Sequence, residues 1–566
     1  MTQRVHFYLL IAILLLGLAI RLYLQGTAPK GALVDETSFG YIAYSLLETG
    51  HDEHGATWPL VFKAFGDNKL PVYGYALLPF VKLMGLTETS IRYPSILAGT
   101  LLIAIVYFLL RELKFSAKLS LVGSVITATA PWTFILSRFG LESNLALLFF
   151  TAGLATLIRS TKNKHWFWPI ATSTLFGLTW YTYVAYRPIT LAVLIVWLLY
   201  FLRHKLILPK TAALATITFV LIIAPITLLF PGSTTTRFKQ IGLIYSPGIP
   251  MEVIETRTFC TTRFPKLICY GLHNKATVIA RDLTARFFAT LSPQFLATTG
   301  GSEAFYNVTG FGQFYQILYP LFILGLAALL LHKFGRHKHL RFLIVSGVLV
   351  SIIPGLLTSD PQKVRYSALY PFLLVTVILG LDTLYTLVKK PLHRFILPLL
   401  LLILAAEATT FLAYFYTTHS FKTDFAHQSF APGLMTYLGQ QANQDTVINI
   451  IPFFPDPIIY YAFYNQLDPT TYQHTTVLGD LEASGFQHTQ SVGAVWARDI
   501  NFDVFSCLAA EAGKRGLYAT NANFMDQTKL KTLTSENGVL DYAYVYQTKE
   551  KPENCAFHLG RYRASQ

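Results

Sequence analysis

Asp35 and Glu36 stand side by side at the head of "VDETSFGYIAYSLLETG", shortly after a long apolar run ends. Paired carboxylates are the tools of glycoside chemistry. On a helix, however, successive side chains diverge by about 100°, so two neighbours rarely face one substrate together. That geometry favours one base over an acid and base couple. A carboxylate within hydrogen-bond reach of a hydroxyl takes its proton as the oxygen attacks, which typically contributes about 10²–10⁴-fold. Other charges follow: Asp67 and Lys69 in "GDNKLPVYGY", Arg92 in "TSIRYPS", Arg138 and Glu142 in "SRFGLES", Arg187 in "YVAYRP", Lys363 and Arg365 in "SDPQKVR". Taken singly, each suits an interfacial anchor or a structural ion pair. Ionisable groups at a bilayer are costly, though, and as a set they mark a polar cavity or a substrate path. Acids and bases gathered on one face suit a substrate with an anionic headgroup and a hydroxyl to be activated.

The elements that must position these residues are read from composition. The chain has 566 residues, 53% hydrophobic and 13% charged, against about 25% charged in a soluble domain. Eleven apolar segments, near 7–25, 93–110, 118–136, 142–158, 166–183, 188–202, 211–230, 313–331, 342–358, 366–388 and 395–416, approach the length of about 20 residues that a span needs. The first carries no small-residue cleavage site after it, so it reads as an anchor. The net charge of +15 sits in short clusters between apolar segments, a pattern that argues against nucleic acid as partner. Those clusters, "RELKFSAK", "RSTKNKH", "RHKLILPK", "HKFGRHKHLR" and "KKPLHR", hold a single acid, Glu112. The positive-inside rule makes them cytoplasmic. The N-terminus is then inside, and the first loop 26–92, the large loop 231–312 and the region after 418 are outside. The expected division is a membrane part, 1–418, and a soluble extracytoplasmic α/β domain, 419–566, in a multi-pass protein of the cell membrane.

Four cysteines, Cys260, Cys269, Cys507 and Cys555, all fall in the segments read as external. An even count on the oxidising side suggests two disulfides, and proximity pairs Cys260 with Cys269 and Cys507 with Cys555. In the tail, "APGLMTYLGQQANQ" and "DPIIYYAFYNQLDP" read as helices. "DTVINIIPFF", "GLYATNANF", "LDYAYVYQTK" and "CAFHLGRYR" read as strands. The many tyrosines there suit cross-strand packing. In the first loop "FGYIAYSLLETG" reads as a helix closed by Gly50, and "KLPVYGYALLPFVKLMG" as a second; both suit the membrane interface. "LATTGGSEAFYNVTGFG" has the composition of a mobile loop over the site, and its "NVT" at Asn307 matches a glycosylation tripeptide.

The order of these motifs (one span, "DE" heading a long loop, "GDNKLPVYGY", "IRYPSILAG" opening the next span, then "SRFGLESNLALLFF") resembles a known family. It is that of the membrane-integral GT-C glycosyltransferases of the protein O-mannosyltransferase and aminoarabinose transferase superfamily. It is most similar to their bacterial dolichyl-phosphate-mannose-protein mannosyltransferase-like branch. The likeness covers residues 5–415 and is densest over 30–150. It implies a GT-C fold and a catalytic base at Asp35, with Glu36 orienting it or serving as second acid. Lys69 matches the lysine of the family's Lys-Pro-Pro motif, although Leu70 replaces one proline. Asn68 stands where some members carry a metal-site Glu, so no divalent metal and no cofactor is predicted. Arg92 and Arg138 match arginines associated with the lipid phosphate, Arg365 joins them, and Asp67 and Glu142 are supporting.

The implied reaction moves a monosaccharide from a polyprenyl-phosphate donor to a hydroxyl of a protein, lipid or glycan, with inversion. Two other classes compete. A transporter or flippase of lipid-linked sugars would show repeats and broken spans near the midplane, whereas the acids here lie in a loop. A non-catalytic assembly protein with an external binding domain would tolerate loss of Asp35.

Overall fold

The computed structural model describes residues 3–232, 242–246, 248–301, 303–331, 338–358, 362–482, 485–548, 550 and 552–565. Parts of the large loop (233–241), of the basic connection "HKFGRHKHLR" (332–337) and of "SDPQKVR" (359–361) lie outside the described residues. The chain is a multi-pass α-helical membrane protein with a sheet-containing C-terminal domain. Among the described residues eight helices are long and apolar enough to cross a membrane, or nine if the bent pair Ala117–Thr129 and Pro131–Arg138 is one span. Two of the eleven expected spans form shorter helices, Phe167–Trp180 with 14 residues and Leu318–Leu330 with 13.

The contacts divide the chain into two compact units, 1–23 with 95–413 and 24–94 with 414–566. This differs from the division expected at 418. The first external loop packs with the tail, because its helices bury their apolar faces there.

In the membrane unit, Pro131 breaks the helix that starts at Ala117 by 47°. A proline has no N–H to offer the carbonyl four residues back, here that of Thr127. Arg21, wholly buried, makes good the loss. Its Nη2 donates to the Thr127 carbonyl at 3.3 Å and its Nη1 to that of Ala128 at 2.8 Å, while Nε donates to Ser137 Oγ at 2.7 Å. The Thr133 hydroxyl adds a second donor to the Thr127 carbonyl at 2.7 Å. A kink in apolar surroundings persists only when the freed carbonyls find donors in this way.

In the second unit, helix Val34–Thr49 starts where Glu36 reaches back to accept from the Leu33 N–H at 2.9 Å, half of a capping box. It ends at Gly50, whose φ of 74° continues into a left-handed turn. Phe39, Ile42 and Leu46 on this helix and Phe463 on the tail helix Pro457–Tyr464 are 1% exposed or less. Each fully buried side chain of this size contributes about 1.5–3 kcal/mol. Hydrogen bonds, worth about 0.5–1.5 kcal/mol each, fix the register. Tyr41 donates to the Leu467 carbonyl at 2.9 Å, Tyr460 to that of Ala32 at 2.9 Å, and Tyr464 to Glu88 Oε1 at 2.8 Å. Gln473 Nε2 donates to Ser45, Thr49 and the Asp52 carbonyl at 3.0–3.1 Å. Burial is the larger part, and a charge at Ile42 would remove it.

Strands β1 (Phe62–Ala64) and β2 (Asp67–Lys69) form a hairpin that pairs Phe62 with Lys69. Its two-residue turn, Phe65 and Gly66, has φ of 55° and 75°, as the tightest hairpins require. Helix Pro71–Met84 follows at once. The tail carries a mixed seven-stranded sheet of β3 (Thr446–Ile450), β4 (Thr476–Leu478), β5 (Thr489–Val492), β6 (Val495–Trp496), β7 (Arg515–Thr520), β8 (Lys529–Thr534) and β9 (Asp541–Gln547). The spatial order is β4-β5-β6-β3-β7-β9-β8, with β3 parallel to β6 and β7.

"CAFHLGRYR" is a helix, Cys555–Ser565, not the expected strand. Cys555, Leu559 and Tyr562 all meet the same core cluster, and their spacing is the period of a helix. Both expected disulfides are present, Cys260–Cys269 and Cys507–Cys555. Asn307 is 7% exposed. It holds its own loop: Gly301 N and Gln313 Nε2 donate to its Oδ1 at 2.9 and 3.0 Å, and its Nδ2 donates to the Glu303 carbonyl at 2.8 Å. That engagement replaces the glycosylation reading of its tripeptide.

Candidate active site

The first turn of helix Val34–Thr49 separates the two neighbouring acids as helical geometry demands. The Asp35 side chain is 52% exposed and that of Glu36 0%. Asp35 faces outward on the turn where the helix dipole favours a negative charge. The hairpin brings Lys69 to it, with Nζ 2.9 Å from Asp35 Oδ1. The same ammonium lies over the rings of Phe39 and Phe65, 4.8 and 4.7 Å from their centroids. Ring faces attract a cation and restrict where it sits. The result is an exposed carboxylate held against a fixed positive charge.

Glu36 serves the scaffold. Arg92 Nε donates to its Oε1 at 2.9 Å and Nη2 to its Oε2 at 3.3 Å. Both side chains are 0% exposed. Two further guanidinium hydrogens go to the carbonyls of Pro29, at 3.2 Å, and Gly31. These bonds clamp the entry to the helix that carries Asp35. A buried guanidinium needs acceptors, and Glu36 and the loop carbonyls take four of its hydrogen bonds.

Arg138 is held in a similar way. It lies at the end of helix Pro131–Arg138 and is 0% exposed. Nη1 donates to the carbonyls of Arg21 and Tyr23 at 2.7 and 2.8 Å, closing the C-terminal end of the first helix. Glu142 is half-buried in the first turn of helix Glu142–Lys162. Arg365 is half-buried in the turn before helix Tyr370–Leu387, two residues from the buried Lys363. The Lys363 carbonyl accepts from Trp132 Nε1 at 3.0 Å, and burial pushes its ammonium down to about 7.

Asp67 lies on β2, where its Oδ1 accepts from the Asn68 N–H at 2.7 Å. The structure therefore brings Asp35 together with Lys69, and Glu36 with Arg92. Arg138, Glu142 and Arg365 belong to the other compact unit. Among the described residues no group of three or more His, Cys, Asp or Glu side chains is placed to hold a metal ion.

Three further ionisable residues of this unit carry no motif. Glu53 is 3% exposed and Asp456 6%, and His488 Nδ1 lies 2.8 Å from Asp456 Oδ2. The density of acids and histidines in "HDEHG" was the available signal for Glu53. Asp456 and His488 reach the loop through the tertiary fold alone.

Comparison with known proteins adds the following. Residues 11–235 match the family model described as dolichyl-phosphate-mannose-protein mannosyltransferase. No curated protein matches by sequence. Among solved structures, the chain resembles ArnT from Cupriavidus metallidurans bound to undecaprenyl phosphate, at 14% identity and a TM-score of 0.47, over 97% of this chain and 99% of that one. It also resembles the archaeal oligosaccharyltransferase AglB from Archaeoglobus fulgidus, in complex with an inhibitory peptide and a dolichol-phosphate. There the identity is 14% and the TM-score 0.49, over 91% of this chain and 69% of that one. That matched stretch, residues 11–235, holds Asp35, Lys69, Arg92 and Arg138.

Proposed function

We propose that the chain is an inverting glycosyltransferase of the GT-C type. It moves a monosaccharide from a polyprenyl-phosphate sugar to a hydroxyl on the external face of the membrane. One observation carries this reading: Asp35, exposed on a helix N-terminal turn, paired with Lys69 at 2.9 Å, inside the stretch that matches the mannosyltransferase model. The two disulfides in segments read as external support the sidedness.

In this mechanism the acceptor oxygen attacks the anomeric carbon while its proton passes to the Asp35 carboxylate. The bond from that carbon to the phosphate oxygen breaks, and polyprenyl phosphate leaves with the electron pair. Negative charge grows on the leaving group. A positive group fixed nearby stabilises that charge, and such stabilisation usually lowers the barrier more than any other single effect. We assign that role to Lys69, 2.9 Å from Asp35. Glu36 and Arg92 act by positioning.

The test is incubation of the purified protein with radiolabelled polyprenyl-phosphate sugars, scoring lipid phosphate release. Release that depends on Asp35 supports the reading. Flipping of the lipid without product would instead favour a transporter.

A further inference from the structure

Two buried carboxylate oxygens near the Asp35–Lys69 pair have no hydrogen-bond partner among the described residues: Glu53 Oε2 and Asp456 Oδ1. Their side chains are at least nine-tenths buried. Leaving such an oxygen unsatisfied costs about 1–3 kcal/mol, so an arrangement with two of them asks what completes it.

The fold places them together. The C-terminal loop docks on the tight turn of the loop hairpin, where the Gln487 N–H donates to the Phe65 carbonyl at 3.1 Å. A Cβ on Gly66 would stand 2.7 Å from the Gly485 carbonyl oxygen, so only glycine permits this approach. Phe65 is the ring beneath Lys69. One residue beyond Gln487, His488 bridges two acids, with Nδ1 2.8 Å from Asp456 Oδ2 and Nε2 3.3 Å from Glu482 Oε1. Glu53 lies within Coulombic reach of both Lys69 and Asp456. Burial raises its carboxyl well above the usual carboxylate range. Its Oε1 is 3.7 Å from His54 Nε2.

We propose that Glu53 and Asp456, the latter oriented by His488, form a saccharide subsite that the C-terminal domain adds to the Asp35–Lys69 pair. Sugar hydroxyls each donate and accept, so they can donate to the open oxygens Glu53 Oε2 and Asp456 Oδ1. Lys69 already supplies the local cation, and no set of ligands for a metal ion is present among the described residues. The sugar is either that of the donor or part of a glycan acceptor; the chemistry is the same. The subsite rests on the glycosyltransferase reading above.

The test uses the full-length purified protein and the variants Glu53→Gln, Asp456→Asn and His488→Gln. Asn suits position 456, because the backbone there is left-handed with φ of 43°, a conformation Asn tolerates. Affinity is measured for undecaprenyl phosphate and for a panel of undecaprenyl-phosphate hexoses and pentoses. Transfer to a membrane glycan extract and hydrolysis to water are followed in parallel. If the donor sugar occupies the subsite, the sugar-bearing lipid binds about 10-fold or more weaker to Glu53→Gln and Asp456→Asn, with the bare lipid unaffected. If an acceptor glycan occupies it, transfer falls by a similar factor while donor affinity and hydrolysis persist. Equal loss of bare-lipid binding would make the role structural and overturn the proposal, as would unchanged affinity and transfer in all three variants. The enzyme reading fails separately, on a wild-type protein that releases no lipid phosphate from any donor.

Discussion

Lys69 Nζ stands 2.9 Å from Asp35 Oδ1, although the two residues reach that point on different elements, a hairpin strand and a helix N-terminus. The turn of Phe65 and Gly66 makes this meeting work. It reverses the chain tightly enough to set Lys69 opposite Phe62, and it puts the Phe65 ring under the ammonium. A charge fixed in advance costs no reorganisation when the leaving phosphate forms.

Lys69 is therefore expected to act in the chemical step. Lys69→Met lowers the transfer rate by about 10²–10³-fold with the thermal midpoint preserved. Lys69→Arg keeps the charge but not its compact shape, and recovers part of the rate. Single-turnover rates, compared with donor binding, check this.

Glu36 and Arg92 are expected to fail by unfolding. Both are wholly buried and joined at 2.9 Å. Removing one partner of such a pair costs about 3–5 kcal/mol, because the other is left as an uncompensated charge. Glu36→Ala and Arg92→Ala should each lower the thermal midpoint and the yield of folded protein. A variant that kept wild-type stability would show the pair to be unimportant to the scaffold.

Lys363 sets a pH dependence on the membrane unit. Its ammonium falls from 10.5 to about 7 on burial. Between those values the unfolded chain binds the proton and the folded chain does not, so stability rises with pH across that window. Lys363→Met is expected to raise the thermal midpoint at pH 7 by about 2 °C or more. The advantage should shrink towards pH 10, which thermal scans at the two pH values measure.

The Cys507–Cys555 disulfide ties helix Phe502–Glu511 to helix Cys555–Ser565 across 48 residues. Losing a native disulfide of a small extracellular domain typically costs about 2–5 kcal/mol. Cys507→Ser with Cys555→Ser should lower the midpoint of the tail's unfolding, and Cys260→Ser with Cys269→Ser should leave that transition unmoved.

Much of this was legible in the sequence because it rests on local rules. The divergence of Asp35 and Glu36 follows from the helical period, and the cysteine pairs follow from proximity. What escaped rests on long-range pairing. Tyr464 meets Glu88 across 376 residues, and nothing in either segment announces that the first loop packs with the tail. Arg92 and Arg138 look alike as basic residues at the ends of apolar segments. The acceptors they reach are distant in the chain: Glu36, 56 residues away, and the carbonyl of Arg21, 117 away. "CAFHLGRYR" misled because its aromatic and apolar residues fit an alternating pattern until Leu559 and Tyr562 are seen to share one core.

The most direct test replaces Asp35 by Asn, which keeps the shape of the side chain and removes its basicity. With polyprenyl-phosphate sugar and acceptor supplied, Asp35→Asn is expected to lose transfer by about 10²–10⁴-fold while donor affinity and thermal midpoint stay at wild-type levels. Wild-type turnover by the folded variant would contradict the assignment of the base, and with it the proposed mechanism.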